Sequence, residues 1–75
     1  MKYENGQNEE RIEHNFKYHP PKGDQPERYE LIRNEARRFA KLINGCCPHS
    51  RELSTALTDL EKVVFNANAA IARNE

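Results

Sequence analysis

The chain has 75 residues, and its 12 basic side chains balance its 12 acidic ones. This length allows one small domain, whose core is worth only about 3–5 kcal/mol unless a disulfide, a metal or oligomerisation adds to it. The neutral balance excludes an overall field that would hold a nucleic acid polymer or an anionic membrane. No apolar run approaches the roughly 20 residues of a membrane span, and the polar N-terminus is unlike a signal peptide, so we expect a soluble cytosolic protein.

The N-terminal part of the chain divides into a polar tail and a stiffer arm. Residues 1–14 carry little to bury, which predicts a flexible tail or a short marginal helix. The segment from Asn15 to Gln25 is rich in aromatic, basic and proline residues. Because consecutive prolines forbid helix and favour extended backbone, it is predicted as an extended N-terminal arm that turns at Gly23. Everything from residue 15 to residue 75 is predicted as one hairpin domain.

The first predicted helix covers about residues 25–44. Asp24 is a suitable N-cap, Glu27 stands three residues later as in a capping box, and Gly45 is the expected stop. Apolar residues recur at alternating steps of three and four, which predicts one packed face, or seam. These residues are Tyr29, Ile32, Ala36, Phe39 and Ile43.

The second predicted helix covers about residues 49–73. Pro48 is expected to open its first turn, where Ser50 and Glu52 would help free N–H groups. Its seam is Leu53, Leu57, Leu60, Val64, Ala67 and Ile71. Two helices with matching seams and a connection of a few residues predict an all-α fold, an antiparallel two-helix hairpin.

The end of the second helix has almost no solvent face. From Val63 onward apolar residues point in all directions, and a helix of this kind must be buried on all sides. Phe65, Ala69 and Ala72 form a second apolar face that the hairpin itself cannot cover. We therefore expect a helical homo-oligomer in which the polar exceptions lie in or beside a contact between subunits. These exceptions are Asn66, Asn68 and Arg73.

Two groups of residues allow both an ordinary and a functional interpretation. Arg33, Arg37 and Lys41 step by four along one border of the first helix, either as a solvated face or as an anion site. Tyr18 and His19 on the arm favour the second interpretation, because they could stack on a nucleobase while arginines hold phosphates. Asn66 and Asn68 are either interface amides or partners of a polar ligand.

The adjacent cysteines, Cys46 and Cys47, are expected to be free thiols at the turn. A zinc site with His49 and either His14 or His19 is the alternative, but the sequence has no CxxC knuckle. We therefore expect no metal and no cofactor. The scattered histidines form no catalytic pattern, and no glycine-rich phosphate loop or nucleophile elbow is present, so we expect a non-enzyme.

Three strings carry a resemblance to a known family: NFKYHPPKGDQPERYELIRNEA, the hinge CCPHSRE and the ending LEKVVFNANAAIARNE. They resemble the phage-encoded helical hairpin domain shared by anti-CBASS protein two and Thoeris anti-defence protein one. The resemblance covers residues 15–75. It implies a small oligomer, typically a hexamer, that sequesters cyclic nucleotide or cyclic ADP-ribose-type immune signals in the cytoplasm of the infected bacterium. The signals would be bound between subunits and not cleaved.

Carried onto this chain, the resemblance implies a ligand-binding set drawn from the arm and from both helices. Arm residues would stack on or border a base, Arg33 would be the main phosphate contact with Arg37 in support, and the end of the second helix would complete the pocket. The arm residues are Tyr18, His19, Pro20, Pro21 and Lys22, and those of the second helix are Asn66, Asn68 and Arg73.

Two further hypotheses remain open at the level of sequence. The chain could be a structural or adaptor hairpin that acts only by self-association or by binding another protein. It could also be a regulator that binds nucleic acid, for which the balanced charge is unfavourable.

Overall fold

The structure, a computed structural model, describes Lys2 and residues 5–75, and the described part of the chain contains helices and no strand. A short 3-10 turn, Gly6–Asn8, leads into α1, Glu9–Phe16. The two long helices are α2, Gln25–Cys46, and α3, Arg51–Asn74. Met1, Tyr3 and Glu4, which belong to the predicted tail, lie outside the described residues.

The predicted arm is shorter than the sequence indicates. Asn15 and Phe16 belong to α1, and Gln25 opens α2, so the arm comprises residues 17–24. Lys17 has extended backbone angles, and no regular structure follows until the turn. In that turn the N–H of Gln25 donates to the carbonyl of Lys22 (3.0 Å), and Gly23 takes a φ of 57°, which favours glycine.

Helices α2 and α3 pack side by side as an antiparallel hairpin. The side chains of Gln25 and Arg28, in the first turn of α2, contact Glu75 immediately after α3, so the two helices run in opposite directions. Leu53 is the buried apolar residue of the packed face. The other predicted seam residues are half-buried, with one exception: Phe39 is 52 % exposed, and Ala40 takes the inward position beside it.

Three predicted boundary signals differ from the structure. Asp24 is the N-cap of α2, but its side chain caps no N–H group and instead pairs with Arg28 over 3.2 Å. Gly45 does not end α2, because the ladder continues to a bond from the N–H of Cys47 to the carbonyl of Ile43.

The start of α3 also lies later than predicted. Pro48 belongs to the connection, and α3 begins at Arg51 with Ser50 as its N-cap. The Ser50 hydroxyl accepts from the N–H of Leu53 over 3.1 Å. This bond satisfies one of the free donors in the first turn, as expected for serine at this position.

The hairpin forms a thin body with little interior. The chain extends 49 × 37 × 12 Å, and the smallest dimension matches the thickness of one helix with its side chains. Its radius of gyration is 17.0 Å, whereas a compact domain of this length has about 11 Å. Large apolar side chains therefore stay in contact with solvent on both sides of the hairpin, among them Val63 (59 % exposed) and Phe65 (71 %).

Candidate functional site

The sequence-predicted ligand residues separate into two regions of the chain. Arg33 and Arg37 line a groove along one side of the α2–α3 hairpin. His19, Pro20, Lys22 and Arg73 line a pocket at the open end of the hairpin. Arg33 lies eight residues beyond Gln25, which is about 12 Å along the axis of α2. Within one chain, the arm and the arginines therefore belong to neighbouring but separate surfaces.

The groove beside Arg33, which we call the Arg33 groove, has a volume of about 480 Å³. Small side chains on α2 open it, and leucine and valine on α3 complete an apolar floor. The floor residues are Ala36, Ala40, Leu57, Leu60 and Val64. Arg33 and Arg37 form the rim on α2, while Glu61 and Phe65 form the rim on α3. The groove thus combines an apolar floor, two guanidinium groups and one exposed aromatic ring.

The guanidinium groups of Arg33 and Arg37 have no hydrogen-bond or ion-pair partner among the described residues. Arg38, on the opposite side of α2, differs in this respect because its guanidinium pairs with Glu35 over 3.2 Å. Unpaired guanidinium groups at the border of an apolar groove can grip an anionic oxygen pair, which is their preferred partner.

Asn68 lies on the same flank of α3 as the Arg33 groove. It follows Val64 and Phe65 by four and three residues, which places it one helical turn further along that surface. Its Oδ1 atom has almost no solvent contact and no hydrogen-bond partner in the described structure. A buried amide oxygen without a donor costs about 1–3 kcal/mol, so this atom is a candidate acceptor for a ligand or another chain.

Asn66 occupies a different environment. It is exposed, and its Nδ2 donates to the carbonyl of Lys62 within its own helix over 3.0 Å. Asn66 and Asn68 are two positions apart, so their amides project from nearly opposite sides of α3, about 160° apart. The structure therefore does not bring the two asparagines together within one chain.

The second region, which we call the arm pocket, has a volume of about 440 Å³ and joins the arm to the end of α3. His14, His19, Pro20 and Lys22 line it from one side, and Ala72 to Glu75 line it from the other. Tyr18 (78 % exposed) and Pro21 are exposed and do not line this pocket.

Two histidines attach the arm to α3. Nε2 of His14 donates to the carbonyl of Arg73 (2.6 Å), and Nε2 of His19 donates to the carbonyl of His14 (2.9 Å). A carbonyl oxygen can only accept, so both imidazoles carry a proton on Nε2. The two rings meet edge to face with their centroids 5.0 Å apart. The bond between His14 and Arg73 could not be predicted from sequence patterns, because the two partners are 59 positions apart.

Glu75 is the centre of a polar cluster that the sequence did not indicate. Arg28 donates to both of its carboxylate oxygens, Gln25 donates to Oε1 over 3.2 Å, and Lys22 donates to its backbone carbonyl. The hydrogen bonds from Arg28, and then that from Gln25, lower the pKa of the Glu75 carboxyl from 4.5 to about 2. The bond to Glu75 likewise raises the pKa of Arg28 above its usual value.

The alternative of a zinc site finds little support in the geometry. Cys46 and Cys47 are exposed at the turn, whereas His14 and His19 lie at the open end of the hairpin. Gln25 and Cys46 are 21 positions apart, which is about 32 Å along α2 and too far for shared ligation. No group of three or more potential metal ligands occurs in the described part of the chain.

None of the helices in the described segments is long and apolar enough to cross a membrane. Two grooves and a pocket held by the arm thus lie on a small all-helical hairpin protein.

The family model described as Acb2/Tad1, hairpin domain, matches residues 8–72. The match includes all of α1, the arm and α2, and most of α3, and the chain belongs to this family. This finding confirms the resemblance seen in the sequence and assigns the chain to a family of anti-defence sponges, which act by binding. No curated protein and no solved structure matches the chain at a significant level.

Proposed function

We propose that this protein is a phage-encoded sponge that binds cyclic nucleotide immune signals and keeps them from the host effector without cleaving them. The signals are cyclic di- or trinucleotides, with cyclic ADP-ribose isomers as further candidates, and binding takes place in the cytoplasm of the infected bacterium. The observation that carries the proposal is the Arg33 groove, where two unpaired guanidinium groups border an apolar floor beside Phe65. Phosphates and a nucleobase require this combination of charge and aromatic surface.

We infer that the complete site forms between subunits of a homo-oligomer, with a hexamer as the expected size. On a single chain the Arg33 groove and the arm pocket are both open to solvent, whereas tight binding needs an enclosed and preorganised site. A second subunit that covers the exposed apolar residues of α3 would also enclose the grooves. In this arrangement Asn68 and Arg73 of one subunit border a ligand held by Arg33 and Arg37 of another, with Asn66 at the periphery.

The arm contributes the second part of the proposed site. His19, Pro20 and Lys22 already line a pocket with Arg73, and Tyr18 and Pro21 are exposed beside it. Tyr18 is free to stack on a base that a neighbouring subunit presents, because its ring makes no aromatic contact within the described chain. Lys22 supplies a positive charge for a phosphate.

Calorimetric titration with a cyclic dinucleotide, a cyclic trinucleotide and cyclic ADP-ribose tests the proposal. We expect binding of at least one, and recovery of the intact ligand after the protein is denatured. Arg33→Ala should weaken binding roughly tenfold to a hundredfold, the usual value of a hydrogen bond to a charged group. Arg51→Ala is the matched control, because it removes the same charge from an exposed position at the start of α3, outside both grooves and the arm pocket. No binding of any probe, or a cleaved product, would contradict the proposal.

A structural or adaptor role remains the alternative, and the exposed apolar surface favours it. A groove on the side opposite Arg33 is bordered by Leu31, Phe39, Leu42 and Val63, all more than half exposed. If association is the whole function, Arg33→Ala leaves that association unchanged.

A further inference from the structure

Four hydrogen bonds tie the arm and the start of α2 to a single residue after α3. Arg28 contributes two of them to the Glu75 carboxylate, and Gln25 contributes a third. The fourth runs from Nζ of Lys22 to the backbone carbonyl of Glu75 over 2.5 Å. Three residues that are close in sequence thus converge on one residue about 50 positions later.

Gln25 links Glu75 to the arm. Its side chain is held at both ends, because Oε1 accepts from the N–H of Lys22 (3.1 Å) and Nε2 donates to Glu75. Gln25 is also the most buried of the described residues, with 3 % of its surface exposed. The arm therefore cannot rotate about its turn at Gly23 without breaking bonds to Glu75 or to Gln25.

The same contacts complete the C-terminal end of α3. The last carbonyls of a helix have no partner within it and carry a partial negative charge. His14 donates to the carbonyl of Arg73, and Lys22 donates to that of Glu75. The arm acts as a cap for α3, and α3 in turn fixes the arm. An ammonium group has three donors, so Lys22 keeps two for an anion in the arm pocket.

We propose that Glu75 is a positioning residue: its carboxylate holds Gln25 and Arg28, and Gln25 in turn holds the backbone of Lys22, so the arm keeps the geometry in which Lys22 and His19 meet the ligand. This inference rests on the proposed function and assigns to Glu75 no contact with the ligand. Preorganisation removes the conformational cost that a mobile arm would add to binding.

A purely electrostatic effect of Glu75 and a positioning effect predict opposite changes in ligand affinity when its carboxylate is removed, which makes the inference testable. Removing a carboxylate near Lys22 should strengthen the binding of an anionic ligand if charge alone matters. If Glu75 positions the arm, the same change weakens binding. For Glu75→Ala we expect the Kd for the bound cyclic nucleotide to rise about tenfold, which is 1.4 kcal/mol. Glu75→Gln, which keeps an acceptor oxygen, should fall between this variant and the wild type.

Limited trypsin digestion provides the second measurement. Cleavage between Lys22 and Gly23 reports on release of the arm, and cleavage after Arg33 or Arg37 in α2 reports on opening of the hairpin. In Glu75→Ala we expect faster cleavage after Lys22 with unchanged cleavage in α2. Helix content by circular dichroism confirms that the hairpin is folded.

Two control variants separate positioning from general stability and from charge. Ser50→Ala removes the cap at the other end of α3 and destabilises the hairpin without touching the arm, so its Kd should stay within about twofold of wild type. Glu52→Ala removes a carboxylate about 35 Å from Glu75 along α3. Its Kd should also stay within about twofold of wild type.

The inference is overturned if Glu75→Ala binds as tightly as the wild type or more tightly, if its arm is cleaved no faster, or if Ser50→Ala weakens binding equally. A wild-type protein that binds none of the cyclic nucleotides overturns the proposed function and this inference together. That result is recognised from the wild-type titration alone.

Discussion

Arg28 and Glu75 form a two-pronged ion pair across the open end of the hairpin: Nη1 donates to Oε2 over 2.8 Å, and Nη2 donates to Oε1. The same guanidinium also contacts Asp24 over 3.2 Å, so one side chain connects the arm, the first turn of α2 and the residue after α3. The planar fork of arginine suits this arrangement, and lysine at position 28 could not reproduce both bonds.

We expect the ion pair between Arg28 and Glu75 to break in strong acid. Because the pKa of Glu75 is lowered to about 2 in the folded chain from an ordinary value of 4.5, the stabilising contribution of this carboxylate is complete above pH 4.5. It is lost as the pH falls through about 2. A carbon-13 NMR titration of the Glu75 carboxyl should show a midpoint near 2. In Arg28→Ala, which removes the main cause, the midpoint should move toward 4.5. A wild-type midpoint near 4.5 would show that the ion pair does not form in solution.

The two asparagines of α3 should respond differently to substitution. Asn68→Ala removes a buried amide oxygen that has no partner, so the free energy of unfolding of the single chain should stay constant or rise by about 1 kcal/mol. If a ligand supplies the missing donor, the same variant should weaken cyclic nucleotide binding about tenfold. Asn66→Ala, at an exposed amide already bonded within α3, should change binding less than about threefold.

Urea unfolding and calorimetry on both asparagine variants check this prediction. A loss of stability in Asn68→Ala at low protein concentration would mean that its side chain already has a partner in the folded chain.

The cap of α3 offers a test of the fold that does not depend on the function. Ser50→Ala removes the acceptor for the N–H of Leu53 and should lower the free energy of unfolding by about 1 kcal/mol. Ser54→Ala lies one turn further on, where the side chain is exposed, and should stabilise α3 slightly because alanine has the higher helix propensity. Thermal unfolding followed by circular dichroism compares them. Equal effects at both positions would contradict the assigned start of α3.

The groove on the side opposite Arg33 should be the surface through which copies of the chain associate. Leu42 is 57 % exposed beside Phe39. Burial of a leucine side chain contributes roughly 1.5–3 kcal/mol, so Leu42→Asp should raise the dissociation constant of the oligomer at least about tenfold. Asn34→Asp introduces the same charge at an exposed polar position of α2 and should leave association unchanged. Sedimentation equilibrium distinguishes the outcomes, and an unaffected Leu42→Asp oligomer would place the interface elsewhere.

The hairpin could be predicted from the sequence because local, periodic patterns of apolar residues mark its two helices. Steps of three and four residues located the packed faces of α2 and α3, and Ser50 was expected near the start of α3 to help free N–H groups, although the helix was predicted to begin about two residues earlier. Phe39 was assigned to the packed face although Ala40 is the inward residue, because a 3.6-residue period allows either of two neighbours at this step. Gly45 and Pro48 are frequent boundary residues, but neither forces a helix to end or begin where it stands.

The contacts that shape the arm pocket could not be predicted in the same way. Glu75 contacts Arg28, which lies 47 positions earlier, and His14 contacts Arg73, which lies 59 positions later. No helical period relates such residues, and each of them alone resembles an ordinary exposed polar side chain. Of the predicted ligand residues, Arg33 and Arg37 line the Arg33 groove, and His19, Pro20, Lys22 and Arg73 line the arm pocket. Their joint use in one site remains a prediction, because it depends on a second subunit.

The 12 Å thickness of the hairpin has a consequence for how this protein should be measured. A layer one helix deep has two sides and almost no inside, so any substantial core must be made when layers stack. If the proposed self-association supplies that core, folding and assembly become one equilibrium, and we expect the midpoint of unfolding to shift with protein concentration. A melting temperature measured at one concentration would not distinguish a variant with a destabilised fold from a variant with weakened contacts between subunits. Every stability experiment on this chain should therefore be carried out at several protein concentrations.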